Sequence, residues 1–470
     1  MSNIESSDFY QKYYSRRKKD YIMEKTKDFT TGSVLGSLIK FAIPVLAAMF
    51  LQSLYGGVDL LVVGQFAETA DISGVSTGSQ LTHTVTTVIT GLSMGITVFV
   101  GQKIGEKKLE EAGKAIGTGI LLFIILGILM SAFLVIFTGN LAELLHAPAE
   151  AFTQTCDYIT VCGYGMLFIC LYNLLGAIFR GIGDSKTPLL TVFIACICNI
   201  VGDLLFVAGF GMGAKGAALA TVIAQAVSVI VSVLIIRKKP LPFTFKKEFI
   251  RFYPKIILRE LRLGTPIAVQ DLLVGISFLV ILTVVNSIDV VASAGVGVAE
   301  KVCAFIMLVP SAFSQAMSAF VAQNIGAGKK DRALKALKYG ILTSFLVGLV
   351  IGSFSFFRGD LLAGIFTKET AVILQGHDYL KAYAIDCLLT AVLFCCIGYY
   401  NGCGNTFFVM VQGLVGAFCV RVPYVLLMSK VPDATLFQIG LGTPLSSLVQ
   451  IALCLGFMVY LNRFQKKLLI

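Results

Sequence analysis

Four polar side chains set in otherwise apolar stretches carry most of the chemistry open to this sequence: Asp59, Asn199, Asp203 and Thr221. Asn199 and Asp203 are one helical turn apart, so they share a helix face. Depths can be counted at about 1.5 Å per residue from the ends of the apolar runs. On that count Asp59, Asp203 and Thr221 lie at similar depth, with Asn199 one turn deeper. Two carboxylates, an amide oxygen and a hydroxyl make an oxygen cage for a hard monovalent cation. They suit a proton equally well, because two close carboxylates in a low dielectric cannot both ionise cheaply. H⁺ and Na⁺ both stay open, and the two acids could instead do no more than pin helices together. Gln52 and Tyr55 precede Asp59 by about two turns and one turn on a similar face. Both are candidates for substrate or cation contact, or for hydrogen bonds within a bundle.

The elements that hold these residues must be membrane helices. Of 470 residues, 56% are hydrophobic and only 14% charged, with a mean hydropathy of +0.85. A soluble domain of this size needs far more surface charge. Apolar runs of about 20 residues or more recur along the whole chain, each long enough for a hydrocarbon core roughly 30 Å thick. Lipid offers bare backbone no partner, so these runs are helices. Twelve spans are expected, near 38–64, 73–101, 114–138, 156–180, 188–211, 216–236, 264–287, 290–322, 336–357, 379–401, 408–429 and 442–463. The fold class is therefore an all-α integral membrane protein.

Lys and Arg alternate between loops. Lys103, Lys107, Lys108, Arg180, Lys186, Arg237, Lys238, Lys239, Lys246, Lys247, Arg251, Lys255, Arg259, Arg262, Lys329, Lys330 and Arg332 fall on one side, with Arg16 to Lys19 and Lys466, Lys467 in the tails. The intervening loops are poor in both residues. The positive-inside rule then puts both termini in the cytoplasm of a multi-pass cell-membrane protein. It also explains the net charge of +11 without nucleic acid. The twelve cysteines lie mostly inside apolar segments, as Cys196, Cys198, Cys395 and Cys396 do, and read as small reduced hydrophobes.

The chain repeats itself. FVGQKIGEKKLEEAGKA at 99–115 matches FVAQNIGAGKKDRALKA at 320–336, and FRGIGD at 179–184 matches YNGCGN at 400–405, both at a shift of 221 residues. Six spans per half put both halves into the membrane from the same side, a parallel repeat of two lobes around a central cavity. The expected organisation is a tail 1–34, an N-lobe 35–236, a basic linker 237–262, a C-lobe 263–464 and a tail 465–470.

At this point the chain resembles the multidrug and toxic compound extrusion (MATE) family over nearly its whole length. The resemblance rests on the two six-span halves with a basic linker, PVLAAMFLQSLYGGVD from Pro44 to Asp59, FRGIGDSKTP from Phe179 to Pro188, and the Asn199–Asp203 pair. It implies a secondary antiporter that exports amphipathic, often cationic compounds against H⁺ or Na⁺, with no other cofactor. In similar bacterial and archaeal members the positions of Asp59, Asn199, Asp203 and Thr221 bind the coupling cation. Tyr158 and Asn173 match positions lining the N-lobe cavity. A monomer in the lipid bilayer is expected. The second half does not copy the acids: Val280 or Ile281 and Tyr424 or Val425 stand there, and Arg421 near the place of Asn199. Its own charges are Asp271, Glu300, Lys301, Asp386 and Arg421, and depth makes Asp386 and Arg421 a candidate structural ion pair. Pro44 permits a kink in the first span. The three scattered histidines and the lack of a Walker loop, zinc pattern or nucleophile elbow give no enzyme signature. The alternative is a lipid-precursor or polysaccharide flippase of the same superfamily, whose cavities are often cationic where this N-lobe is acidic.

Overall fold

The structure, a computed structural model, describes residues 29–238, 245–287 and 289–467. The basic tail residues Arg16 to Lys19, Lys239 of the linker and the last three residues lie outside them. Among the described residues twelve helices are long and apolar enough to cross a membrane. They are α1 (Val34–Phe66), α2 (Thr69–Gly105), α3 (Leu109–Ile136), α4 (Ala149–Gly181), α5 (Lys186–Gly209) and α6 (Gly213–Lys238). The second half contains α7 (Pro254–Asn286), α8 (Val290–Gly326), α9 (Lys330–Gly364), α10 (Thr370–Cys403), α11 (Thr406–Met428) and α12 (Leu436–Arg463).

All twelve expected spans are present, and the differences lie at their ends. Helix α7 starts at Pro254, inside the segment read as a linker, because proline fits the first helical turn. Helix α8 is broken at Met307 into Val290–Ile306 and Leu308–Gly326. Pro310 has no N–H to give the carbonyl of Ile306, so the α-helical ladder cannot run through. Helix α5 relaxes into a π-helical stretch over Leu204–Gly209 directly after Asp203, and α11 does so over Val415–Arg421. All twelve cysteines are free thiols, most of them buried.

Helices α1 and α7 begin against the half to which they do not belong in sequence. Leu38 and Phe41 of α1 pack with Ala316, Phe320, Leu337 and Tyr400 of the second half. Further along, Val62 and Val63 of the same helix pack with Tyr158, Ala217 and Ala218 of the first. In α7, Leu263 joins Ile96, Phe99 and Leu174, whereas Ile281 and Val285 pack with Tyr379 and Tyr383. Each of these helices has one proline within it, Pro44 and Pro266. Lipid is as apolar as leucine, so helices in a bilayer gain from close van der Waals approach rather than from leaving water. Small residues provide it: a Cβ on Gly91 would lie 2.6 Å from Ala268 Cα, and one on Gly95 would lie 2.5 Å from the Gly264 nitrogen.

Candidate coupling site

Three helices of the first half bring the four singled-out residues together. Asp59 comes from α1, Asn199 and Asp203 from α5, and Thr221 from α6. Thr221 Oγ1 donates to Asp59 Oδ2 at 3.2 Å, and Asn199 Nδ2 approaches Thr221 Oγ1 at 3.4 Å. Asp59 and Asp203 are neighbours in this cluster. Asn199 and Asp203 are fully buried and Asp59 is 6% exposed. The helices supply few donors to this cluster. Asp59 Oδ1, both Asp203 oxygens and Asn199 Oδ1 are buried without a hydrogen-bond partner. Four inward oxygens without donors are an unstable arrangement in an apolar surround unless a proton or a hard cation sits among them. Asp203 is the last α-helical residue before the π stretch, so the change of helical pitch sets where its carboxylate points.

The cluster continues along the inside of the first half. Gln225, one turn after Thr221 on α6, approaches Tyr55 with its Nε2 3.4 Å from the phenol oxygen. Gln52 Nε2 donates to the hydroxyl of Tyr172 at 2.9 Å. Gln52 and Tyr55 are both half-buried. Tyr158 is buried with Val62, Val63 and Ala217, its ring filling the space that a side chain at Gly78 would need. Asn173 is committed at both ends: Oδ1 accepts from Thr90 Oγ1 at 3.0 Å, and Nδ2 donates to the Ile169 carbonyl at 2.9 Å. Gln225 and Tyr172 are partners that the sequence reading missed. Each is a polar residue inside an apolar run, one turn from Thr221 and next to Asn173 respectively, and that spacing is the signal that could have found them. Arg180, counted there among loop charges, is largely buried at the end of α4, its Nε without a partner.

A family model described as MatE matches residues 44–205 and, a second time, 266–427. The chain belongs to the MatE family. The second match starts and ends 222 residues after the first, so the two halves of this MatE transporter match one family model over five helices each. Among similar curated proteins are the "Probable multidrug resistance protein YpnP" and the "Probable multidrug resistance protein YoeA", both of Bacillus subtilis (strain 168). YpnP is 27% identical, covering 93% of this chain and 97% of its own length. YoeA is 25% identical, covering 92% and 95%. A solved "outward-facing conformation of a multidrug resistance MATE family transporter of the MOP superfamily" superposes with a TM-score of 0.88 over 94% of this chain and 99% of its own, at 19% identity. The chain is thus a multi-pass membrane transporter of this family and not an enzyme.

The repeat lets the same place be inspected in the second half of the MatE fold. At the 222-residue spacing of the two matches Asp59, Asn199 and Asp203 correspond to Ile281, Arg421 and Val425, and the same spacing carried past the matched residues pairs Thr221 with Thr443. Arg421 Nη1 donates to Ser277 Oγ at 3.1 Å, and its guanidinium lies 4.2 Å from the centre of the Phe278 ring. The expected ion pair with Asp386 does not form: among the described residues no salt bridge joins the two, and Asp386 Oδ1 is buried without a hydrogen-bond partner. Arg421 is directed to α7 instead. The π stretch over Val415–Arg421 adds a residue to the turn and swings Arg421 toward α7.

Proposed function

We propose that this transporter exports amphipathic, cationic compounds in exchange for H⁺ or Na⁺, with Asp59, Asn199, Asp203 and Thr221 as the coupling site. The observation that carries this reading is the buried group of four carboxyl and amide oxygens without donors, contributed by two helices, with the hydroxyl of Thr221 from a third beside them. An empty, doubly ionised site is expensive in a low dielectric. An ion entering it removes that cost and with it the attraction for a cationic substrate in the same lobe. Such a difference in affinity between states is what exchange requires. Gln52, Tyr55, Tyr158 and Asn173 are the candidate substrate contacts of the same half. Gln52 and Tyr55 are the two of these with surface left to meet a substrate. The basic loops and both termini face the cytoplasm, by the distribution of Lys and Arg.

The test is efflux by reconstituted protein under an imposed H⁺ gradient and then under a Na⁺ gradient. Asp59→Asn and Asp203→Asn, close in shape to the native residues, are expected to fold, insert and lose gradient-driven efflux. The gradient that drives the unaltered protein names the ion. Efflux at the unaltered rate by both variants would sink the reading.

A further inference from the structure

The stretches by which the two halves resemble each other most, 99–105 with 320–326 and 179–184 with 400–405, meet in space. Gln102, near the end of α2, donates from Nε2 to the carbonyl of Gly402 at 3.1 Å. Gln323, near the end of α8, donates from Nε2 to the carbonyl of Gly181 at 2.9 Å. Gln102 and Gln323 are repeat partners at the shift of 221, and so are Gly181 and Gly402. Each bond therefore crosses from one half to the other, and the pair is reciprocal about the axis that relates them. Both amides are buried, with Gln102 8% and Gln323 2% exposed. The backbones beside them follow the same symmetry. A Cβ on Gly105 would sit 2.0 Å from the Gln323 carbonyl oxygen, and a Cβ on Gly326 would sit 2.0 Å from that of Gln102. The turns behind the acceptors match as well, with Gly183 at φ 85° and Gly404 at φ 83°, a region that disfavours any side chain.

These contacts lie at the ends of α2, α4, α8 and α10, on the side of the basic loops. A two-lobed transporter opens to one side by rocking its halves apart there. Opening on this side must pull α2 from α8, and both amide bonds break in doing so. We infer that Gln102 and Gln323 are positioning residues for transport, a reciprocal latch that holds the basic-loop side shut while the cavity is open opposite. A latch made by repeat partners opens as one unit, because a rotation about the shared axis lengthens both bonds together. This also accounts for the sequence similarity between the halves surviving there while it is lost at the coupling site.

Hydrogen–deuterium exchange on purified protein in lipid nanodiscs tests this without added cysteines. In the Gln102→Ala, Gln323→Ala double variant, exchange is expected to rise across 99–106 and 320–327. It is expected to fall across 54–62 and 276–284, where the opposite opening closes. Each lost neutral amide bond should move the closed-to-open ratio about two- to tenfold. Gly326→Ala, which wedges α8 from α2 while keeping both glutamines, should shift exchange in the same two directions, as should Gln323→Ala alone if the double variant is not recovered folded. Unchanged exchange in these variants would overturn the latch. So would a rise on both sides, because that is loosened packing rather than a change of state.

Discussion

The proposed coupling site of the first half and the corresponding place in the second are built on one repeated frame and carry opposite charge. In the first, Asp59 and Asp203 put two carboxylates beside Asn199 and Thr221, and four oxygens are left without donors. In the second, Ile281 and Val425 replace both acids, and Arg421 replaces the amide. Arg421 holds its charge in place through Ser277 and the face of Phe278, so this half contains its own permanent cation. The repeat supplies the positions, and a few side chains decide whether a position needs a mobile ion or already has a fixed one.

The largest expected effect that sharpens this contrast is on stability. Arg421→Ala removes a buried hydrogen bond and a cation–π contact and should cost about 2–3 kcal/mol, seen as a lower melting temperature of the purified protein. Asp386→Asn should cost less than about 1 kcal/mol, because no salt bridge is lost and an unpartnered carboxylate oxygen becomes part of a neutral amide. Equal losses in the two variants would mean that Asp386 and Arg421 work as a pair after all.

A smaller effect distinguishes two threonines. Thr221 and Thr443 occupy the same place in the two halves, but Thr221 donates to Asp59 whereas Thr443 Oγ1 is buried without a partner. Thr221→Val should weaken binding of the coupling ion by about tenfold, measured by isothermal titration. Thr443→Val should leave it unchanged and should not lower the melting temperature. Matching responses in the two halves would break the comparison.

How much of this was legible in the sequence follows from which forces act alone. The twelve spans follow from apolar length, so they could be read directly. That Asp59, Asn199, Asp203 and Thr221 come together could be anticipated because polar groups inside apolar runs are few, and helical spacing fixes face. What failed depended on neighbours. The start of α7 at Pro254 was hidden by Arg259, Glu260 and Arg262, which read as a loop. In the fold, Glu260 is buried beneath the crossing with α2, its backbone carbonyl 2.7 Å from where a Cβ on Gly95 would be. Arg421 was placed toward the wrong helix, because the π stretch before it has no signature in residue type. The latch glutamines sat in full view within the repeated motif, but only the packing of α2 on α8 shows that they bond across the halves.

In the proposed mechanism the coupling ion is held by Asp59 and Asp203 in the first half and by nothing equivalent in the second. The measurement that reaches it most directly is ion release from the purified, lightly buffered protein when a cationic dye substrate is added. A pH indicator follows protons, and a Na⁺-selective electrode follows sodium. The unaltered protein and Thr443→Val are expected to release the ion on saturation with dye. The Asp59→Asn, Asp203→Asn double variant is expected to bind the dye and release none. Release from the double variant equal to that of the unaltered protein would contradict the account and move the coupling site elsewhere in the molecule.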